Sequence, residues 1–208
     1  MRITFAAASA GRSLYGGVVR RMVSSFAALV LVAGCGGGGG SGTTLEPGPM
    51  VTGFTFTAES AVSEGGDVDV RYTCDGEDVS PALLWEGVPD GTSELAVAVD
   101  DPDAPGGTFT HWLAWGIDPG VTRLPEGVPA DSMTPGLPIL RQGRNDFGRM
   151  GYGGPCPPRG EEHRYIFRLF ALDGAVDLEA GADRRAFDEA VGPHVLAEAR
   201  LTARYTRP

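Results

Sequence analysis

Apolar and polar residues alternate along much of the chain after residue 50, with the two-residue period of β-strands. The segments FTFTAES (54–60) and DVDVRYTC (67–74) follow this alternation, which is typical of strands with one buried face. Three segments are denser in apolar residues: ELAVAVDD (94–101), HWLAWGID (111–118) and YIFRLFALD (165–173). Runs of this kind are typical of strands covered on both faces, so these three are predicted to lie at the centre of a sheet.

Glycine and proline clusters separate these runs and mark the predicted loops. They lie at residues 86–91, 102–107, 118–129 and 134–160. The last loop is long, and long loops in compact domains are commonly functional or disordered. DRRAFDEAV (183–191) is predicted as a helix, and HVLAEARLTARYT (194–206) is predicted to begin as a helix and end as an edge strand. The predicted class is mainly β, with two packed sheets and a short helix near the C-terminus.

The N-terminal segment has the features of a secretory signal. Arg20 and Arg21 precede an apolar run of about a dozen residues, which is too short to cross a bilayer core of about 30 Å and ends in small residues. Residues 32–35, VAGC, resemble the lipobox of bacterial lipoproteins, in which the cysteine is lipidated and becomes the new N-terminus. The alternative is an ordinary signal peptide with a chance cysteine at position 35.

These features divide the chain into three predicted regions. Residues 1–34 are predicted as a lipoprotein-type signal peptide, residues 35–50 as the lipidated Cys35 with a glycine-rich tether, and residues 51–208 as one domain. The expected location is the bacterial cell envelope. Because Gly36 stands where an aspartate commonly retains lipoproteins at the inner membrane, the outer membrane is favoured, with the domain facing the periplasm or the cell surface.

The net charge of the chain limits the classes of partner that it is expected to bind. The chain has no lysine, and 17 arginines face 27 acidic residues, which gives a net charge of −10. Without residues 1–34, thirteen arginines remain against 27 acidic residues, a net charge of −14. A domain of this charge is repelled by nucleic acid and by anionic lipid surfaces, so no nucleic-acid partner is expected. Any anion that it binds must be held by local groups against the overall field.

Three cysteines are present. If Cys35 carries lipid, Cys74 and Cys156 remain as an even pair in an oxidising compartment. The pair is either joined in a disulfide or present as two reduced thiols. The sequence leaves both alternatives open because it does not give the Cα separation that a disulfide needs.

Charged residues and histidines cluster where predicted strands meet loops. Asp101 and Asp103 follow a buried strand in DPDAP, His111 begins the next strand, and His163 begins a strand after the long loop. Binding residues are often found on loops that a rigid sheet holds in place. The two imidazoles, together with free backbone amides, could form an anion cradle, and a nearby aspartate would fix the tautomer of each ring.

Four segments carry a resemblance to a known family: YTCDGEDVSPALLWEGVP, DDPDAPGGTFTHWLAW, GRNDFGRMGYGGPCPPRGEEHRYIFRLFALD and GPHVLAEARLTARYTR. In order and spacing they resemble the phosphatidylethanolamine-binding protein family, in its bacterial YbhB/YbcL, Raf-kinase-inhibitor-like branch. The resemblance spans residues 52–207 and includes the D-P-D-A-P and G-x-x-H-R-Y motifs. It implies a Greek-key β-sandwich of two antiparallel sheets with a short C-terminal helix, and a shallow pocket for phosphate-type anions at one end.

The resemblance also implies which residues form that pocket. Asp101, His111 and His163 match its binding positions. The positions that shape its wall are matched by Asp103, Pro105, Phe109, Pro157 and Tyr165. Asp101 is expected to hold an imidazole, while His111 and His163 donate N–H groups with help from the backbone around Gly154. Glu161 and Glu162 do not fit the expectation of an anion pocket, because their negative charge would weaken anion binding unless their carboxylates point outward.

Simpler interpretations of the same residues stay open. The role of Asp101 and Asp103 could be limited to capping a turn. Either site histidine could be a core residue. His194 is interpreted as structural, since no loop chemistry surrounds it.

Three functional classes remain. The leading one is an envelope-tethered, non-enzymatic binding protein for a small anionic ligand such as phosphate, a phospholipid head group or a phosphorylated compound, with no cofactor and no metal. The alternative is an inhibitor that acts on a protease or a kinase pathway through protein–protein contact. A metal-dependent or hydrolytic enzyme is the third class, although the chain lacks a G-x-S-x-G motif.

The lipid anchor makes a direct prediction. Growth with labelled palmitate is expected to label the wild-type chain and not the Cys35→Ser variant, because the thioether to the lipid requires that sulfur. The measurement is the label on the immunoprecipitated protein. A mature chain that begins at another residue and carries no lipid would contradict the tether.

Overall fold

The computed structural model describes residues 45–59, 61–130 and 140–208. Within these ranges the elements are β1 Thr55–Ala58, β2 Leu83–Glu86, β3 Glu94–Asp101, β4 Phe109–Ile117, β5 Arg123–Leu124, β6 Arg141–Gln142, β7 Glu162–Leu172, α1 Arg184–Val191 and β8 Val195–Thr206. Single 3-10 turns occur at Val70–Tyr72 and Gly192–His194. The prediction of a mainly β protein with a short helix near the C-terminus is confirmed.

The strands form two antiparallel sheets. The larger has the order β6-β4-β3-β7-β8, and the smaller has the order β1-β2-β5. In the larger sheet Asp101 lies opposite Phe109, and His163 lies opposite Tyr205. The C-terminal end of β3 therefore lies next to the N-terminal ends of β4 and β7, where the sequence places its cluster of charged residues.

The larger sheet is buried on both faces. Val97 and Val99 of β3 belong to the core cluster that also contains Trp85 of the smaller sheet. Their neighbours Ala96 and Ala98 belong to a second cluster that packs under Phe187 of α1. Because both faces are covered, neither face of β3 is exposed to solvent. This explains the continuous apolar run in its sequence.

Two local predictions are wrong. The alternating segment 67–74 does not form a strand: Asp69 accepts a hydrogen bond from the amide of Arg71 and caps the 3-10 turn Val70–Tyr72. A short Asx-type bond of this kind competes with strand pairing. The segment 194–206 does not begin as an α-helix, since only His194 lies in a 3-10 turn before β8 starts at Val195.

The domain begins earlier than the predicted boundary at residue 51. The side chain of Leu45 packs against the cluster under α1, and its carbonyl accepts a hydrogen bond from Arg168 Nη1 at 3.1 Å. Glu198 accepts from the amide of Gly48 at 2.7 Å, and its own amide donates to the carbonyl of Pro49 at 2.9 Å. Residues 45–49 are therefore part of the domain, because their apolar and backbone groups find partners there.

The predicted signal peptide and the greater part of the tether lie outside the described residues, and so does Cys35. Among the helices that the structure describes, none is long and apolar enough to cross a membrane.

A disulfide joins Cys74 to Cys156, with the two Cα atoms 5.4 Å apart. It links the loop after the first 3-10 turn to the long loop that leads into β7. The amide of Cys74 also donates to the carbonyl of Pro155 at 3.1 Å, so the two loops are held together by backbone as well as by sulfur.

Loss of this disulfide is expected to lower the free energy of unfolding by about 4.5 kcal/mol, the chain-entropy value for a loop closed over 82 residues. Urea unfolding of the Cys74→Ser, Cys156→Ser double variant measures the change. Cys35→Ser is the matched control, because it removes the cysteine outside the pair. Equal unfolding free energies for the double variant and this control would contradict the prediction.

Candidate functional site

A cavity of about 320 Å³ lies at the end of the sheet where β3 ends and where β4 and β7 begin. Six of the residues predicted from the sequence line it: Asp101, Pro105, Phe109, His111, Pro157 and His163. The structure thus brings together groups that are separated by up to 62 positions in the chain.

His163 is held by Asp101. Its Nδ1 donates a hydrogen bond to Asp101 Oδ2 at 2.8 Å, and both side chains are almost completely buried. Burial by itself lowers the pKa of His163, but the hydrogen bond and charge of Asp101, together with Glu161, outweigh it and raise the pKa above 6.5. The pair therefore stabilises the imidazolium relative to a buried imidazole without a carboxylate, and in that form the N–H at Nε2 is a second donor.

Glu161 lies beside that donor. Its Oε2 is 3.4 Å from His163 Nε2, and more than half of its side chain is exposed. The contact is long for a hydrogen bond and is open to solvent, so it is weak. An incoming anion at Nε2 would have to displace this carboxylate.

His111 owes its position to an irregularity in the sheet. Val99 pairs with Trp112 and Asp100 pairs with Thr110, which leaves His111 as the extra residue of a bulge. Its Nδ1 is 2.6 Å from the carbonyl oxygen of Gly153. Burial lowers the pKa of His111 and outweighs the opposing effects of that carbonyl and of nearby carboxylates, so the neutral imidazole is favoured.

This arrangement differs from the sequence-based expectation for His111. A carbonyl oxygen only accepts hydrogen bonds, so the single proton of the neutral ring is on Nδ1, and Nε2 carries a lone pair. His111 therefore presents an acceptor at Nε2, whereas the expected role was that of a second N–H donor. The aspartate expected beside each imidazole is present only at His163.

The expected backbone donors around Gly154 already have partners. The amide of Gly154 donates to Asp78 Oδ1 at 2.6 Å, and the amide of Gly153 donates to the carbonyl of His111 at 2.9 Å. Gly154 is not part of the cavity lining. Its role is structural: a side chain there would come within 2.3 Å of the carbonyl oxygen of Tyr72.

Asp103 and Tyr165 support the cavity from behind its surface. Asp103 accepts hydrogen bonds from the amide, Nε and Nη2 of Arg164 at 2.7 to 2.9 Å, and these bonds lower the pKa of Asp103 to about 2. The pair fastens the DPDAP loop to β7. The ring of Tyr165 is fully buried and meets the ring of His111 edge-on, with centroids 5.2 Å apart.

Five lining residues were not predicted as site residues: Ala104, Phe147, Cys156, Pro158 and Arg207. Phe147, which is 43% exposed, stacks edge-on against Phe109 at the mouth. Arg207 reaches the cavity because Glu162 pairs with Thr206, which places the C-terminal end of β8 beside the start of β7. Cys156 contributes through its disulfide. The antiparallel pairing of β7 with β8 is the feature from which the position of Arg207 could have been predicted.

Outside the cavity, the described residues include one further histidine and a second, larger groove. His194 pairs with Asp173 at 2.8 Å on the surface, in accordance with its structural interpretation. Residues 45–59, 61–130 and 140–208 contain no group of three histidines, cysteines or acidic residues arranged to hold a metal ion. A larger groove of about 830 Å³ between β1 and β8 has mainly apolar and hydroxyl-bearing walls and includes no histidine.

Replacing Asp101 with asparagine is expected to lower the pKa of His163. The wild-type pKa lies above 6.5 because the carboxylate favours the charged ring, and without that charge the effect of burial dominates and moves the pKa downward. Titration of the imidazole Cε1 proton by NMR measures both values, with the His194 signal as a reference that the substitution does not touch. An unchanged His163 midpoint would show that the pair does not control its protonation.

Comparison with known proteins places this geometry in a family. The family model described as phosphatidylethanolamine-binding protein matches residues 58–206. A UPF0098 protein of Methanothermobacter thermautotrophicus is 49% identical over 147 residues, which cover 71% of this chain and 95% of the relative. LppC of Mycobacterium tuberculosis, which is named as a lipoprotein, is 38% identical over 162 residues, covering 76% of this chain and 75% of LppC.

Solved structures agree with these sequence comparisons. Escherichia coli YbcL, described as a member of the mammalian PEBP family, superposes with a TM-score of 0.71 at 33% identity, and the match covers 76% of this chain and all of YbcL. A PEBP homologue from Chlamydia trachomatis superposes with a TM-score of 0.67 at 32% identity and the same coverage. The chain belongs to the phosphatidylethanolamine-binding protein family.

Proposed function

We propose that this protein is a non-enzymatic binding protein for a small anionic ligand that carries a phosphoryl group. The observation that carries the proposal is the buried Asp101–His163 pair, in which the carboxylate raises the pKa of the imidazole and so favours a charged N–H donor at the cavity. Arg207 also lines the cavity, where its Nε pairs with Asp75 at 3.2 Å. Charged donors in a partly desolvated pocket are the groups that hold an anion.

The cavity gives this acidic protein a local way to hold an anion. Its volume of about 320 Å³ is at the lower end of small-molecule sites and suits a compact group such as a phosphate ester. Apolar walls from Pro105, Phe109 and Phe147 lower the effective dielectric around His163, which strengthens its interaction with a negative charge. The name of the family, which describes a binding activity, supports binding rather than catalysis.

We further propose that the domain is tethered to the bacterial cell envelope through lipid on Cys35. The signal-like segment that ends in VAGC supports this, and so does the lipoprotein name of LppC, which is similar over most of the domain. The five consecutive glycines that follow Cys35 have the composition of a tether between an anchor and a folded domain.

Substitution of His163 with alanine is expected to weaken the binding of methyl phosphate by about tenfold or more. A hydrogen bond to a charged group contributes roughly 1.5–3 kcal/mol, and about 1.4 kcal/mol corresponds to a factor of ten. Calorimetric titration of the full chain in detergent at pH 6 gives the affinities. His194→Ala is the matched control, since it removes a histidine that lies outside the cavity, and it is expected to bind as the wild type does.

Two results would contradict the proposal. If His163→Ala binds methyl phosphate as tightly as the wild type, the charged donor is not the binding group. If the folded wild type binds no phosphoryl compound, the pocket does not serve this purpose, and the protease- or kinase-pathway inhibitor becomes the better hypothesis.

A further inference from the structure

Residues 45–49 form a segment that we name the N-terminal strap, and it lies across two buried charges. The carbonyl of Leu45 accepts a hydrogen bond from Arg168 Nη1 at 3.1 Å, and the amide of Gly48 donates to Glu198 Oε2 at 2.7 Å. Glu198 is fully buried, and Arg168 is nearly so. The backbone of the strap therefore serves one cation and one anion that have little access to water, and a buried charge that loses a partner is destabilised.

Both charges belong to a larger ionic network on the face of the sheet that α1 covers. Three arginines and three carboxylates form it: Arg168, Arg184, Arg200, Asp100, Asp188 and Glu198. Burial lowers the pKa of Arg168, and the charges of Glu198 and Asp100 oppose this change, so Arg168 links the part of the network on β8 with the part beside α1.

The network has few hydrogen-bond partners to spare. Five of its nitrogen and oxygen atoms are fully enclosed and have no hydrogen-bond partner within residues 45–59, 61–130 and 140–208. In a buried network of this kind each existing partner matters, because a partly satisfied charge is costly at low dielectric. The two partners that the strap supplies are therefore expected to affect the network as a whole.

The other end of the network lies next to the cavity. Asp100 pairs with Arg184 on one face of β3, and the next residue, Asp101, accepts from His163 on the opposite face. The second oxygen of Asp101 accepts from the amide of Asp103 at 2.9 Å. A change in the position of Asp100 is therefore transmitted through one peptide unit to the group that holds the cavity together.

The strap is an element that can open without unfolding the sheets. Glu46, Pro47 and Pro49 are exposed, and Leu45 is only partly buried. Segments with few buried apolar contacts open at a lower free energy than the core. Opening would leave two charges of the network without their backbone partners.

We propose that the N-terminal strap couples the N-terminal segment of the chain to the cavity: its docking completes the buried ionic network and thereby fixes the end of β3 that carries Asp101. Undocking of the strap loosens the cavity, and by thermodynamic linkage any change that rigidifies the cavity favours docking. A pull on the chain before Leu45 would therefore be felt at the cavity. The coupling requires neither a lipid on the chain nor a ligand, so it goes beyond the function proposed above.

The test undocks the strap and measures amide hydrogen exchange by NMR, with the full chain in detergent. In Gly48→Ala the new Cβ would lie 2.8 Å from Val195 Cγ1 and 3.1 Å from Glu198 Cβ, so the strap must move. Exchange of the Glu198 amide, which donates to the carbonyl of Pro49 at 2.9 Å, reports the undocking. Exchange of the Asp103 amide, which donates to Asp101, reports the state of the cavity.

Exchange at Asp103 is expected to become about tenfold faster in Gly48→Ala. The amide of Trp85, which donates to the carbonyl of Thr122 at 3.0 Å in the smaller sheet, is the reference for any loss of global stability, so the ratio of the Asp103 rate to the Trp85 rate is the measured quantity. Glu46→Ala is the matched control, because it makes the same residue at an exposed position of the strap, and it is expected to leave the ratio unchanged.

Two further variants define the route and the strength of the effect. Asp100→Asn with Arg184→Gln removes the ion pair beside the cavity while keeping side chains of similar size, and Gly48→Ala in this background is expected to leave the ratio unchanged. Gly48→Val places a larger side chain at the same point of the strap and is expected to raise the ratio at least as much as Gly48→Ala does.

Three results would overturn the proposal. The first is faster exchange at Glu198 with an unchanged ratio, which makes the strap a local contact. The second is an equal rise of the ratio with and without the Asp100–Arg184 pair, which places the coupling outside the network. The third is unchanged exchange at Glu198 in both Gly48 variants, because a strap that does not open cannot act in this way. None of these measurements uses a phosphoryl ligand, so each of these results leaves the proposed function standing.

Discussion

The carboxylate of Asp101 is the group on which the rest of the site depends. One of its oxygens accepts from His163, and the other accepts from the amide of Asp103 in its own loop. It therefore joins the end of β3, the DPDAP loop and the start of β7 in a single buried cluster. Without it, the imidazole at position 163 would keep only the long, solvent-exposed contact to Glu161, and burial would then disfavour the charged ring.

The acidic residues around the cavity explain how a protein with a net charge of −10 can present a positive site. Asp75 accepts from Tyr205 and Arg207, Asp78 accepts from Arg149 and the amide of Gly154, and Asp103 accepts from Arg164. Each carboxylate is paired with a donor that fixes a loop of the pocket. Their charge is thus partly neutralised by structural partners, and His163 is left to face the cavity.

The sequence predicts the parts of this arrangement that are set by local pattern. The apolar runs identify the central strands, and the DPDAP and HRY motifs identify Asp101 and His163. It does not predict the acceptor role of His111, because that role depends on a carbonyl 42 positions away and on a bulge that breaks the alternation of β4. The strand predicted at 67–74 is absent for a related reason. The hydrogen bond by which Asp69 caps the 3-10 turn is more favourable than the strand pairing that the two-residue period predicts.

The end of β3 is also held from the opposite face of the sheet. Asp100 points away from the cavity and forms an ion pair with Arg184 of α1, which in turn binds Asp188 at 2.7 Å in a largely buried network. Removal of either partner of such a buried pair leaves an uncompensated charge. Because consecutive strand residues point to opposite faces, Asp100 and Asp101 fix the same piece of backbone from both sides. The imidazole of His163 therefore lies on a strand end that has little freedom to move, and this constraint fixes the geometry of the cavity.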